Sequence, residues 1–413
     1  MSVTLLKNIK SLVNVRTITH ILRGKDLTVL PCIENAYLTI EDGIILGYGK
    51  MDDISDSLSS IPHPIDLTGK LVLPCWCDSH THMVFAGSRE NEFVDKINGL
   101  SYAQIAARGG GILNSAQAIA AISEDQLFAE AWNRLEELAM MGTGSVEIKS
   151  GYGLSVAHEL KMLRVIKKLK EKSGLLIRST FLGAHTYPLA FRENHQGYID
   201  MIINEMLPVI ASEKLADFID VFCEEGFFSP EETEQICTAG LAYGLRPKLH
   251  VNQMNSIGGI QAGINMNALS MDHLEQLNEK EIDLLSAWNG VCTLLPGAAF
   301  FLRMSFDHVR KMIARGCAIA LASDFNPGSC PSGNMNLVIA LACIQMRMLP
   351  AEAINAATIN GAFAMDAGTE TGSITIGKRA NLLITKKIPS LSFLPYSFGH
   401  NLVDKVMING QFI

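Results

Sequence analysis

Eight apolar runs of β type recur through the middle of this chain, and helical patterns separate most of them. The runs fall at 71–77, 144–149, 176–184, 218–224, 247–252, 268–273, 290–295 and 318–324. Helical spacing of apolar residues marks 124–141, 156–172, 198–211, 230–243 and 306–315. Strands that are apolar on both faces and alternate with helices belong in a parallel sheet covered on both sides. Eight such repeats over ~300 residues predict a (β/α)8 TIM barrel with insertions. An open doubly wound sheet fits less well. Its phosphate-binding glycine turn is missing, because Gly109-Gly110-Gly111 follows no strand.

The two ends read differently. Asp42-Gly43 lies between two β-rich runs, a strong hairpin signal, and a polar stretch at 51–64 reads as loop. Residues 372–385 read as two short strands around a glycine-containing turn. Neither end holds enough strand to stand alone. The two are expected to join in one small β-sandwich domain, which divides the chain into 1–70, a barrel at 71–368, and 369–413.

Composition narrows the partners. The chain is 48% hydrophobic and 18% charged, which suits a large core. The near-apolar stretch at 290–302 is interrupted by Thr293 and Pro296 and is too short to span a bilayer. A net charge of -8 without basic blocks argues against nucleic acid and for a small-molecule partner, so an anionic substrate needs a specific cation. The start of the chain lacks a signal-peptide layout. Nine cysteines, an odd number mostly inside apolar segments, read as reduced thiols of a cytoplasmic protein, Cys75 and Cys77 among them.

In a barrel of this kind the site forms where strands end. Run one leads into His80-Thr-His82, run three ends at His185, run five at His250, run six at Asp272-His273 and run eight at Asp324. Five of the eleven histidines thus stand where apolar strands stop. Residues i and i+2 of a strand share a side, so His80 and His82 aim at one point. Singly, each has an ordinary alternative: a packed imidazole, or for Asp324 a helix cap. Jointly, imidazoles from runs one, five and six and a carboxylate from run eight converge only if the barrel closes. Neutral imidazoles plus a carboxylate suit Zn²⁺ or Fe²⁺, leaving a position for a water whose pKa falls to ~7. Asp324 would then be ligand or near-ligand and proton acceptor, and His273 a hydrogen-bond partner of the water or the developing oxyanion.

This order of residues resembles the amidohydrolase superfamily. Further segments narrow the resemblance: 74–93, with Asp78-Ser-His80-Thr-His82 and Arg89-Glu-Asn-Glu-Phe93, then 107–112, Glu147-Ile-Lys-Ser-Gly-Tyr152, 180–185, 220–226 and 322–329. They match the branch that opens the ring of 4-imidazolone-5-propanoate to N-formimidoyl-L-glutamate in histidine degradation. The resemblance implies one transition metal per subunit, zinc or iron, on His80, His82, His250 and Asp324. It implies substrate contacts from Arg89, Tyr152, His185, Gln253, Asn326, Gly328 and Ser329, and a homodimer. Gln253 stands where the family has Gln or Glu, so its catalytic share is orientation. The two-metal members often carry a carboxylated lysine at strand four, whereas this chain has Cys223-Glu224-Glu225.

The chemistry of the residues agrees with that implication. A propionate tail needs a planar bidentate cation, and Arg89 follows the His80/His82 pair by one short loop, although a salt bridge to Glu90 or Glu92 is its structural alternative. His185 is placed to polarise the ring carbonyl. Two rival functions remain at this level: deamination of an aromatic heterocycle by the same metal set, and a barrel scaffold without catalysis. The intact ligand set argues against the scaffold.

Overall fold

Eight parallel strands pair in chain order: β1 (Trp76–Thr81), β2 (Thr143–Lys149), β3 (Leu176–Ala184), β4 (Phe218–Cys223), β5 (Arg246–Val251), β6 (Ser270–His273), β7 (Val291–Leu294) and β8 (Ile319–Leu321). The computed structural model describes residues 3–100, 104 and 110–413, so 107–109 of the glycine-containing segment lie outside the described residues. The ring closes just beyond β8. There Asp324 N–H donates to His80 O at 3.0 Å and His82 N–H to Phe325 O at 2.9 Å. Asp78 reinforces the seam by accepting from Ser323 N–H at 2.9 Å and from its hydroxyl at 2.5 Å.

Helices clad the ring as their spacing predicts. Glu124–Met140 buries Leu127, Ala131, Leu135 and Leu138, one stripe at helical spacing, and Ser123 with Gln126 forms its capping box. Pro230–Ala242 starts with proline in its first turn and a Ser229/Glu232 box. The segment expected as one helix over 198–211 is interrupted by a π turn at Ile202–Met206.

The strands are less uniformly apolar than their composition suggests. Val146, Ile148, Leu249, Val251 and Met271 alternate with fully buried Glu147, Lys149, Lys248, His250 and Asp272. Successive strand residues face opposite sides, so the apolar set meets the helices while the charged set fills the barrel.

Both termini contribute to one mixed sheet. Its strands are Thr4–Val13, Cys32–Glu41, Ile44–Lys50, Ile65–Asp66, Leu71–Pro74, Leu382–Thr385, Val403–Ile408 and Gln411–Phe412. Its two ends share an apolar core that includes Leu6, Leu38, Ile45, Val72, Leu382 and Met407. The Asp42-Gly43 hairpin forms with both residues at positive φ, 50° and 81°. A side chain at Gly43 would place its Cβ 2.8 Å from Asn409 O. Among the described residues no helix is long and apolar enough to cross a membrane.

Two expectations need correction. The run at 71–77 is two strands, not one. Leu71–Pro74 joins the terminal sheet, where it pairs with Thr4–Val13 and Leu382–Thr385, and β1 starts at Trp76. Backbone donors explain the switch: Cys75 N–H goes to Asn381 O and Trp76 N–H to Gly142 O, each at 2.9 Å. Of the two strands expected over 372–385, only the second forms. Ile374 makes a single bridge to Val15, and the segment just before it curls around the buried Lys378 ammonium, which donates to Gly368 O, Thr371 O and Ser373 Oγ.

Candidate active site

The end of β1 places His80 and His82 two residues apart on one side, and β5 brings His250 beside them. Nε2 of His82 lies 3.3 Å from Nε2 of His80 and 3.3 Å from Nε2 of His250. Burial pushes all three imidazoles well below their ordinary pKa, so they are neutral. His80 uses its Nδ1–H on Asp272 Oδ2 at 2.6 Å, which leaves Nε2 as a bare lone pair. His82 Nδ1 has no hydrogen-bond partner among the described residues. Three ring nitrogens that converge in this way have too few protons to satisfy one another. A cation among them removes the conflict, so His80, His82 and His250 form a group able to bind a metal.

Asp324 Oδ1 stands 3.5 Å from His80 Nε2 and 3.6 Å from His82 Nε2. Burial pushes its carboxyl up to about 7, and a nearby cation would favour its charged form. Its backbone φ is +54°, and His273 and Leu274 at the end of β6 have φ of +80° and +66°. Left-handed backbone at bulky residues is strained, and it turns both strand ends into the mouth. His273 Nδ1 lies 3.4 Å from Glu275; burial opposes its charge, but that carboxylate overrides burial and raises its pKa.

Beneath the imidazoles lies a tier that the sequence reading missed. Asp272 holds His80, and Asp220 Oδ2 lies 3.0 Å from His250 Nδ1, off the line of a hydrogen bond. Between them the Lys149 ammonium reaches Asp220 at 2.8 Å, Glu147 at 2.5 Å and Asp272 at 3.7 Å. Lys248 meets Glu147 from the other side at 2.5 Å. All five side chains are closed to solvent. The available signal was a charged residue inside each of the apolar runs of β2, β4, β5 and β6, with Glu147 and Lys149, and Lys248 and His250, at alternate positions.

Above the imidazoles a cleft of about 320 Å³ opens. Its wall contains His82, Arg89, Tyr152, His185, His250, Gln253, His273, Asp324, Asn326, Gly328 and Ser329; His80 is buried directly behind. Every residue singled out from the sequence is therefore at this one place. His185 stacks on His82, ring centres 5.2 Å apart and planes 16° from parallel, and burial lowers its pKa to about 4. Its Nδ1 lies 3.2 Å from Gly151 O. Tyr152 is 5.4 Å from His185 ring to ring. Gln253, half-buried, makes no hydrogen bond among the described residues.

The loop after β8 is set by Asn326. Its Oδ1 accepts from the N–H groups of Gly328 and Ser329, both at 2.8 Å, while Nδ2 donates to Asp324 O at 2.7 Å. Arg89 faces this loop, yet it also pairs with Glu92, donating from Nε at 2.9 Å and from Nη2 at 2.7 Å. Glu92 further accepts from Gly111 N–H and Asn114. The guanidinium is therefore both part of the cleft wall and one half of a salt bridge.

Comparison with known proteins supplies the family. The model of the amidohydrolase family matches residues 232–413. Imidazolonepropionase of Flavobacterium johnsoniae is 55% identical over 413 residues, covering 100% of both chains. That of Christiangramia forsetii is 52% identical over 411 residues and covers 99% of each. Among solved structures, an adenosine deaminase from Xanthomonas campestris with bound zinc aligns with a TM-score of 0.71 at 17% identity, over 99% of this chain and 92% of that one. That likeness is one of fold.

Proposed function

Because the chain belongs to the imidazolonepropionase family of amidohydrolases, we propose that its cleft hydrolyses 4-imidazolone-5-propanoate to N-formimidoyl-L-glutamate, a ring-opening step of histidine degradation. The observation that carries this reading is the joint placement of Arg89 and the buried imidazoles in one cleft, in a chain related to imidazolonepropionases over its full length. His80, His82 and His250, with Asp324 beside them, would hold one transition-metal ion per chain, zinc or iron, which would supply the Lewis acidity that makes water nucleophilic at neutral pH.

The residues divide the remaining work. Arg89 binds the propionate, and Tyr152, Asn326, Gly328 and Ser329 line the bed of the planar substrate. His185, neutral at pH 7, carries its proton on Nδ1 where it donates to Gly151 O, so it polarises the ring carbonyl through Nε2–H only in the other tautomer, which gives up that backbone hydrogen bond. Water oxygen bonds to the ring carbonyl carbon, and its proton passes to Asp324. His273 hydrogen-bonds the oxygen on which charge develops. The carbon–nitrogen bond then breaks, and Asp324 returns the proton to the leaving ring nitrogen. Gln253 orients the ring without exchanging protons. The same reading gives a cytoplasmic homodimer with a small anionic substrate, and divides the chain into a barrel that starts at Trp76 and runs to 368, flanked by the terminal β pieces that include Leu71–Pro74.

Turnover of 4-imidazolone-5-propanoate, guanine and cytosine by the purified metal-loaded protein tests the assignment. Loss of the imidazolone absorbance with formation of N-formimidoyl-L-glutamate, and no ammonia from the two bases, is the expected result. Deamination of either base without ring opening would overturn it.

A further inference from the structure

Resting on that reading, the cleft has a charge problem at its carboxylate end. Arg89 is the N-cap of the helix Glu90–Ile97, and Glu92 on the same helix occupies its Nε and Nη2. The pair is about nine-tenths buried on both sides, so the two charges cancel within the wall. Nη1 is the nitrogen that Glu92 leaves free, and the guanidinium lies against the loop after β8, where a Cβ on Gly328 would clash with Nη1 and Cζ and come within 3.0 Å of Nη2. A neutralised guanidinium attracts an anion weakly, and the chain as a whole, at -8, repels one.

A second cation stands at the same loop. Lys96 also lines the cleft, and its Nζ donates to Gly328 O at 2.9 Å. Glu92 is four residues earlier on the helix, the spacing of a common salt bridge, yet Lys96 makes no ion pair with any carboxylate among the described residues. Its ammonium instead lies 5.5 Å from the centre of the Phe301 ring, a ring that packs on Phe93 of the same helix. Lys96 and Arg89 thus converge on Gly328 from one helix, and a larger residue at 328 would separate them. Burial and the neighbouring guanidinium together disfavour the charged ammonium despite the opposing pull of Glu92, and an arriving carboxylate would add to that pull.

We propose that Lys96 is a substrate-binding residue that supplies the net positive charge of the carboxylate end, with Arg89 contributing direction through Nη1. Counting Arg89, Glu92 and Lys96 leaves one positive charge, matched to the single negative charge of a propionate. A cation used this way acts on binding more than on the bond-breaking step.

Steady-state kinetics of Lys96→Met, Lys96→Gln and Lys96→Arg, with the propionate substrate and with its neutral propionamide analogue, test this. Lys96→Met and Lys96→Gln should each raise KM for the propionate about tenfold or more, the usual scale of a hydrogen bond to a charged group, with kcat within threefold. Lys96→Arg should recover most of the loss, and the analogue should show no difference between parent and variants. A KM within twofold of the parent, or an equal penalty on acid and amide, would overturn the role of Lys96 while leaving the parent's activity as evidence for the function. A parent that turns over neither compound would overturn the functional reading itself.

Discussion

Replacing Asp272 by Asn isolates the charge that orients the candidate metal ligands. The side chain keeps its shape, and its surroundings can accommodate an amide. The amide oxygen can face His80 Nδ1–H, now 2.6 Å from Oδ2, while the NH₂ faces Ser270, whose hydroxyl donates at 2.6 Å today and can rotate to accept. What disappears is one negative charge from a closed cluster that holds Lys149 and Lys248 against Glu147, Asp220 and Asp272. That cluster carries a net negative charge without metal, so neutralising Asp272 should not lower the thermal stability of the metal-free protein. Burial already raises the Asp272 pKa, which points the same way. Metal affinity should fall, because His80 loses the carboxylate that fixes its tautomer and strengthens its Nε2. Such outer partners are worth about 10–100-fold in affinity, or about 1.4–2.8 kcal/mol. Asp220→Asn should cost less, since Asp220 sits off the hydrogen-bond line of His250. Competition of apo-protein with a chromogenic chelator for zinc measures both, with thermal melts of the apo forms alongside. Parent-like zinc affinity in Asp272→Asn would refute the orienting role, and a collapsed apo melting temperature would refute the charge count.

Three further outcomes follow from the same geometry. His82→Ala should lose most of an otherwise stoichiometric metal, about one ion per chain by elemental analysis, because two imidazoles and a carboxylate remain; two ions per parent chain would contradict a single site. Arg89→Met should lower kcat/KM by about 10²-fold or more, the scale of truncating one partner of a buried charge pair, and adding Glu92→Gln should restore part of it by removing the stranded carboxylate. Asp324→Asn should cut activity at least about 10²-fold and weaken metal binding together, whereas His273→Ala should cut activity with metal retained; the opposite pattern exchanges their roles.

Much of this arrangement was legible in the chain. Parallel strands buried on both faces require apolar runs, and runs spaced by helices require crossovers, so the barrel follows from periodicity. Histidines at the ends of such runs are conspicuous because burial penalises them unless something binds them. The hairpin at Asp42-Gly43 was visible because its two positive φ values suit few residue pairs. The split at Cys75 was not visible. Residues 71–77 are equally apolar throughout, and only the positions of Asn381 and Gly142, far along the chain, decide which sheet each backbone donor joins. The missing strand before Gly377 has a similar cause, since the Lys378 ammonium draws three acceptors around itself in place of a ladder.

The tier beneath the imidazoles was hidden for a more general reason. Asp272 is in register beside His250 on the neighbouring strand, and a reading strand by strand would pair those two. Instead Asp272 reaches inward across the barrel to His80 on β1, while Asp220 on β4 serves His250, and Lys149 on β2 joins both carboxylates. Register fixes which residues neighbour each other along the ring, but not which side chains meet at its centre. Those meetings depend on side-chain length and on the tilt of eight strands at once. Ligand positions are therefore a property of strand ends, readable one run at a time. Their orientation is a property of the closed ring, and it becomes readable only once all eight strands are in place.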